Sequence, residues 1–520
     1  MQEIMTHPLG ESQTKALIPL ADPVSVDTFG GRIHVEWNPQ AAVTPLGQLP
    51  FFIDYLHVSG LFDEWVSSCP LQWTSPNAPT KIDVLGTVLL SVLSGHQRYA
   101  HINALRGDGV NPGLLGMSKV VSEDSVRRSY SKLPEEQGIP WLQESLYRVY
   151  SPVLSVPWIL DVDTTIKTIY GQQEGAEVGY NPHKPGRPSH TYHTYMIANL
   201  RLILEVEVQS GKQVASKYSA PGLWELLKRL PREHWPSLLR GDRDWGTEAN
   251  MRQAEQLGVP YLFKLRLTKG TRTLIERLMR GRDWVSAGQG WEGAESTLRL
   301  SGWSRARRAV VLRRRIQKDL AVVSRQQEGP KQLSFAELSD QVDVYEYSVL
   351  MTSLDHEILS IAQLYRDRAD AENNFDELKN HWGWGGFTTQ DLKRCRYMAR
   401  ITALIYNWWS LFVRLANPDQ HTEAVTSRPL MLYAIGKQTR HAGQNRLTIS
   451  STHAEAEKVE QRYRRIAAFF KELRSTAEQL TTIQRWYRIV SLALVKYLKG
   501  CQLQPPDRLP APARESIRSF

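Results

Sequence analysis

The chain has 520 residues, 41% hydrophobic and 23% charged, a globular composition that excludes a collagen-like or wholly disordered protein and has room for two to four domains of about 150 residues. Its 64 Lys and Arg against 54 Asp and Glu leave a net charge of +10, which favours a polyanionic partner, nucleic acid before membrane. No run approaches the ~18 apolar residues of a membrane span, the start MQEIMTHPLGES lacks a leader pattern, and Cys69, Cys395 and Cys501 lie too far apart for a disulfide framework or a paired-cysteine zinc site.

The first 150 residues read as mostly helical after an irregular start. Ile82 to Leu93 is an apolar helix ended by Gly95, and Gln97 to Leu105 predicts a second, short one. Ser122 can cap a third helix, with Glu123 and Asp124 suiting its positive N-terminal end. Arg127, Arg128 and Lys132 ride on it, as in a helix-turn-helix or on a solvated basic face. At Pro157 the pattern becomes β-like: WILDVDTTIKTIYG, then TYHTYMIANLRLILEVEVQSG. A helix (223–230), a strand (237–241), a helix (247–257) and a strand (260–267) follow, predicting an α/β domain with a mixed sheet. Between Lys264 and Lys318 fifteen Lys and Arg stand against four acids, with Trp284, Trp291 and Trp303 interleaved. Residues 342–350 return to strand character, and Ile358 to Lys379 predicts one long helix before the turn GWGG. Helices are expected from Asp391 to Leu415 and over most of 454–498, with a disordered Pro-rich tail from Gln502.

Asp161 and Asp163 share one face of an otherwise apolar strand, where a carboxylate is costly without a cation or hydrogen-bond donors. Asp242, in LLRGDRDWG, lies just past a second apolar strand, where ligands of α/β sheets gather. On the long helix Tyr365, Arg368, Glu372 and Lys379 fall within a wedge of about 60° along ~21 Å, with Asp376 as a rival acid on the same face. The alternative reading of that ridge is a solvated face of i,i+4 pairs. His183, Lys184, Arg187, His190 and His193 form a basic cluster; three interspersed prolines predict a DNA-facing loop in preference to a zinc site.

Together these residues resemble the bacterial insertion-sequence DDE transposases, group 1 in particular. The Tyr-x2-Arg-x3-Glu-x6-Lys signature stands as Tyr365, Arg368, Glu372 and Lys379. Asp163-Thr164-Thr165 is similar to the first acidic motif and RGDRDWG to the second, with Asp161 and Asp244 as the neighbouring alternatives. The likeness extends over GHQRYAHINALRGD and SEDSVRRSY and is weakest after about residue 420.

The resemblance implies a ribonuclease-H-like α/β catalytic domain over 151–420, with a β-rich basic insertion at about 268–345, a helical DNA-end-binding region over 1–150 and a helical C-terminal region over 421–520. It implies Mg2+-dependent DNA cleavage and strand transfer, with Asp163, Asp242 and Glu372 as catalytic metal ligands for two ions and Mn2+ as a substitute. DNA contacts are then expected from Tyr365, Arg368, Lys379, Arg127, Arg128, Lys184, Arg187, Arg305, Arg307, Arg308, Arg313, Arg314 and Arg315. Stacking on unpaired bases is expected from Trp284, Trp291 and Trp303, or else core packing of the insertion. The partners implied are duplex DNA with terminal inverted repeats, target DNA and a second copy of the chain on paired ends, in the bacterial cytoplasm at the nucleoid. A nuclease or resolvase of the same fold and a non-catalytic DNA-binding derivative are the competing functions.

Overall fold

The computed structural model describes residues 23–506 apart from 39, 183, 214–219, 282, 317–344, 451–452 and 477–478. An exposed hairpin, β1 (Val24–Thr28) and β2 (Gly31–Val35), and a short β3 (Val43–Thr44) come first. The central sheet takes β4 (Ile159–Thr168), β5 (Glu177–Val178), β6 (Pro188–Ile197), β7 (Leu202–Ser210), β8 (Leu238–Gly241) and β9 (Tyr261–Lys264). It continues with β10 (Val285–Gly288), β11 (Trp291–Leu298), β12 (Arg307–Arg315) and β13 (Tyr345–Thr352). A C-terminal hairpin, β14 (Ile435–His441) and β15 (Gln444–Ser450), accepts β3 as its third strand.

The order across the central sheet is β10-β11-β12-β13-β9-β8-β4-β6, with β5 and β7 both on the far side of β6. β4, β6 and β7 run as an antiparallel meander; β8 lies parallel to β4, and β9 parallel to β8. This is the ribonuclease-H-like arrangement, with the first strand in the middle and helices bridging the parallel pairs. The bridge from β8 to β9 is the helix Glu248–Leu257, capped by the Thr247 hydroxyl and closed by Gly258 at φ 65°.

The β-rich segment is built into the main sheet: after a helix over Lys269–Met279, β10 to β12 join it through β13, which pairs antiparallel with β9. Both faces of β12 are covered, Ala309 and Val311 entering the main core while Val310 and Leu312 pack toward Ile361 and Ala362. The C-terminal region is not wholly helical, since β14 and β15 turn at Ala442 and Gly443, both at positive φ. The expected tail is ordered at its start: Leu503 is buried and its amide donates to Ser491 Oγ at 2.9 Å. The rest of that tail, from 507, lies outside the described residues.

The helix Leu392–Ala416, capped by Asp391, is the spine of the molecule; most of its residues are buried. It packs on β7 and on the helices Glu135–Tyr150, Leu49–Ser59 and Thr482–Ala493. Its Asn407 amide serves both backbone groups of Ile203 on β7, accepting at 2.9 Å and donating at 2.7 Å. Arg400 pairs with Glu205 of the same strand at 2.7 Å, both almost fully buried. One apolar core therefore runs from Leu46 to Leu503. Within the N-terminal part, Ser122 caps the helix Glu123–Lys132 as expected, and the short helix expected over 97–105 is a 3-10 turn over Tyr99–Gly107. Among the described residues no helix is long and apolar enough to cross a membrane.

The register of β4 against β8 sets Asp161 opposite Arg240. The two form a bidentate pair, 2.6 Å at each contact, with side chains 2% and 1% exposed. Arg240 also donates to the carbonyl of Leu364, so one guanidinium ties two strands to the helix that carries the Tyr365 signature. Removing one partner of such a pair leaves a buried charge uncompensated, at a cost of about 3–5 kcal/mol. Urea unfolding of Arg240→Met is expected to show that loss, while Asp161→Leu combined with Arg240→Met recovers most of it. Equal stability of Arg240→Met and the wild type would show that the pair does not hold the sheet to the helix.

Candidate active site

Asp163 stands two residues beyond Asp161, on the same face of β4 and toward its C-terminal half. Its carboxylate is 10% exposed and touches Arg368 Nη2 at 2.6 Å. Its other oxygen accepts the Thr164 amide at 2.7 Å. Asp242 follows β8 immediately and accepts the amide of Asp244 at 2.9 Å. The alternatives separate clearly: Asp161 is held by Arg240, and Asp244 is ion-paired to Arg266. Asp163 and Asp242 remain the carboxylates that sense each other across the two parallel strands.

The single long helix expected over 358–379 is two helices, Ile358–Arg366 and Ala369–His381. Between them Asp367 and Arg368 tighten to 3-10-like dihedrals, φ −60° ψ −16° and φ −66° ψ −19°; the Asp367 amide still reaches Gln363, and those of Arg368, Asp370 and Ala371 bond to the third residue back. No Pro or Gly lies there. Charge contacts made by the neighbouring residues accompany the tightening: Arg368 is drawn to Asp163, and Arg201 grips Asp370 at 2.6 Å. Tyr365 thus ends one helix, Arg368 sits at the junction, and Glu372 and Lys379 lie in the first and last turns of the next. The far end is pinned as well. Lys167 of β4 donates to the carbonyl of Gly386 in the GWGG turn. A Cβ on Gly386 would come 1.9 Å from the carbonyl oxygen of Gln97, so only glycine allows GHQRY to dock there.

The electrostatics mark the centre. Asp163 is raised to about 7, first by burial; the Arg368 charge opposes this, and Asp242 and Glu372 add to it. Asp242 is raised by burial and by Asp244, against Arg368. Tyr365 is pushed up to about 12 by burial, with Asp242, Asp163 and Glu372 adding to the effect. Burial opposes the charge of Arg368, yet Asp163, Tyr365 and Asp242 hold its pKa above normal. Both partners of the Asp163–Arg368 pair therefore shift upward, Asp163 first through burial and Arg368 against burial because it faces more than one acid. Lys379 and Lys264 are both lowered by burial, with Asp163 helping to hold the first and Asp242 the second.

The donor set suits a hard divalent cation. All three acids supply oxygen, and their mutual repulsion is what such an ion would relieve. Arg368 stands against Asp163 as a charge without a fork, since its Nε and Nη2 find no aligned hydrogen-bond acceptor. The side chains are not gathered around one point: among the described residues no three His, Cys, Asp or Glu form a metal-holding group, and Glu372 is exposed.

Other expected DNA contacts fall elsewhere. Arg307 is buried and held by Glu248 and Glu255, so it is not available to a phosphate. Trp303 is buried beside it and belongs to the core. Trp284 and Trp291 are half-buried, with Arg313 3.9 Å over the first ring and Arg314 4.9 Å over the second. Arg305, Arg308, Arg313 and Arg314 pair with Glu255, Glu295, Glu292 and Glu346, which offsets much of the positive run. Arg315 is exposed at the end of β12. Arg127 pairs with Asp124 at 2.6 Å on its own helix, and Arg128 next to it is exposed. Of the basic loop, Lys184 and Arg187 are exposed, whereas His190 and His193 are buried in β6; His183 lies outside the described residues. His193 is a β-sheet residue bonded to Thr164 Oγ1 and Thr191 Oγ1, each at 3.0 Å, and burial lowers it to about 4. Arg240, Arg201 and Lys264 bear on the site without having been singled out for it; only the paired register of the strands brings them there.

A family model described as transposase DDE domain group 1 matches residues 80–470, more than half of the chain. The chain belongs to that family. The resemblance seen in the Asp-Thr-Thr and Tyr-Arg-Glu-Lys motifs is therefore real, and this is a DNA transposase. No curated protein matches the chain. Among solved structures, a piggyBac transposase synaptic complex with hairpin DNA is similar at 11% identity and a TM-score of 0.37, over 91% of this chain and 88% of that one.

The raised Asp163 fixes a pH dependence. Its folded pKa lies above the unfolded value of 3.8, so its stabilising contribution is present below about 4 and is lost as pH rises through about 7. A divalent ion needs the ionised form and offsets that loss. Melting curves with Mg2+ are expected to show a larger gain at about pH 8 than at about pH 6. An equal gain at both, or an undiminished gain in Asp163→Asn, would place the ion elsewhere.

Proposed function

We propose that this transposase binds the terminal inverted repeats of its element, cleaves the DNA ends and joins them to target DNA, with Asp163, Asp242 and Glu372 holding two Mg2+ and Mn2+ able to replace them. The observation that carries the reading is Asp163 itself: a carboxylate buried on β4, raised by Asp242 and Glu372 and met by Arg368. Bound Mg2+ would lower the pKa of an attacking water or 3′-hydroxyl and offset charge at phosphorus and on the leaving oxygen.

The chain's own groups do the rest. Asp163 gives up its proton to become a ligand, and Arg368, whose Nε and Nη2 lack aligned acceptors, is free to turn its fork to a phosphate oxygen. Lys379, half-buried and easier to deprotonate than an exposed lysine, adds a point charge from the next helix. Tyr365 keeps its proton at neutral pH and donates to a phosphate. The Thr164 amide and the Thr164–His193 contact fix the strand beneath Asp163. A non-catalytic derivative is disfavoured because Asp163, Asp242 and Glu372 are all present.

Two experiments test this. With DNA copied from the flanks of the coding sequence and Mg2+, Asp163→Asn, Asp242→Asn and Glu372→Gln should each abolish strand cleavage and retain binding in a gel-shift assay. Asp244→Asn, which loses its pairing with Arg266 and its charge beside Asp242, should keep measurable activity; full cleavage by any of the first three removes that residue from the site. Coordinated joining of two ends also calls for two copies of the chain, since closed two-fold pairs are the commonest assemblies. Light scattering of the DNA complex should give two proteins on two ends, and a fully active complex of one protein on one end would exclude the dimer.

A further inference from the structure

Beyond the C-terminal ends of β4 and β5 the surface carries two large exposed rings. Tyr170 follows β4 and Tyr180 follows β5, and they are 66% and 64% exposed. Lys184 bonds the Tyr170 hydroxyl with its ammonium 4.9 Å from the ring centre, and the Arg187 guanidinium lies 5.8 Å from the same ring. Tyr180 accepts a hydrogen bond from Arg243 Nη2 at 3.0 Å, with that guanidinium 5.7 Å from its ring. Arg243 directly follows Asp242. The segment is built rather than loose: Asn181 is buried, donates to Thr168 Oγ1 at 3.1 Å and accepts the Lys184 amide at 3.0 Å.

The charge around these rings differs from that of the insertion. Arg305, Arg307, Arg308, Arg313 and Arg314 each face a glutamate. Among the described residues Lys184, Arg187 and Arg243 make no ion pair with an acid, so three cations lie against two rings, with Asp242 the carboxylate whose charge Arg243 favours. Rings for base faces and cations for the backbone are the two elements that hold single-stranded nucleic acid. A duplex offers its base faces to neither ring, because they are stacked on one another.

We propose that Tyr170 and Tyr180, with Lys184, Arg187 and Arg243, hold unpaired nucleotides next to the phosphodiester cleaved at Asp242. The tyrosines stack on bases and the cations meet the phosphates between them. The assignment rests on the transposase reading and extends it from the cut phosphate to the strand leaving it.

The test uses the full chain without metal and two fluorescent probes: a blunt duplex copied from the flank of the coding sequence, and the same duplex with a short oligo-dT single-stranded extension. Anisotropy titrations compare the wild type, Tyr170→Ala/Tyr180→Ala and Tyr170→Trp/Tyr180→Trp, with circular dichroism as a check of folding. The expected result is a loss of roughly 10-fold or more on the extended probe for the alanine variant, a much smaller loss on the blunt one, and recovery with tryptophan. Equal losses on both probes, or none, in a folded variant would overturn the proposal while leaving the transposase reading intact. Preference of the patch for a non-nucleic polyanion such as polyglutamate over the extended probe would also overturn it. A wild type that binds neither DNA would remove the transposase reading and this proposal together.

Discussion

Everything at the centre of this protein depends on how two aspartates are tolerated on one face of a buried strand. β4 is built from Ile, Leu, Val and Thr, and a carboxylate there loses its water. Asp161 and Asp163 both need a cation, and the fold supplies two of different kinds. Arg240 comes from the adjacent strand in register and makes a full fork, so Asp161 is satisfied and inert. Arg368 comes from the tightened junction between two helices and makes an unaligned contact that only partly opposes burial, and Asp163 keeps an elevated pKa. The first pair fixes the frame in which the second works, because Arg240 also holds Leu364, one residue before Tyr365.

Much of this was legible in the sequence, for a physical reason. The acids stand out against β-formers, and the Tyr-Arg-Glu-Lys spacing survives the tightening at Asp367 because two 3-10-like residues change the helical phase only slightly. Strand and helix alternation from 157 to 267 appears in the structure nearly as read. Less legible was anything decided by partners distant in sequence. A single-helix reading of 358–379 cannot see Arg201 pulling on Asp370. The β14–β15 hairpin is mostly polar and exposed on both faces and turns on Ala-Gly, so it carries neither an alternating apolar face nor a strong turn signal. His193 looked like part of a basic loop because its burial comes from β4 and β7 on either side.

Counting charges along the chain was the weakest guide. The run from Lys264 to Lys318 holds the densest positive charge, and it suggested DNA contacts along it. In the sheet those arginines meet glutamates from neighbouring strands and from the helix Glu248–Leu257, and Arg307 is buried outright. Strand pairing selects such contacts because oppositely charged neighbours across a sheet stabilise it. Among the described residues Lys184, Arg187 and Arg243 form no ion pair; the first two lie against Tyr170, and the third lies against Tyr180 and directly follows Asp242. The distribution of unpaired charge, more than its total, indicates where a polyanion is held.

The same logic explains why a basic helix pair must accompany the acids. Without a metal ion Asp163, Asp242 and Glu372 repel one another, and Arg368 and Lys379 are the groups that limit the repulsion. On the proposed reading, metal ions held by the acids would neutralise them from within, and the two cations would lose their partners. A DNA phosphate would restore that balance by bringing negative charge to Arg368 and Lys379. Metal and DNA would then be coupled through one guanidinium, each favouring the other. The arrangement needs Arg368 to be well paired in charge and poorly aligned in geometry, and that is how it stands against Asp163.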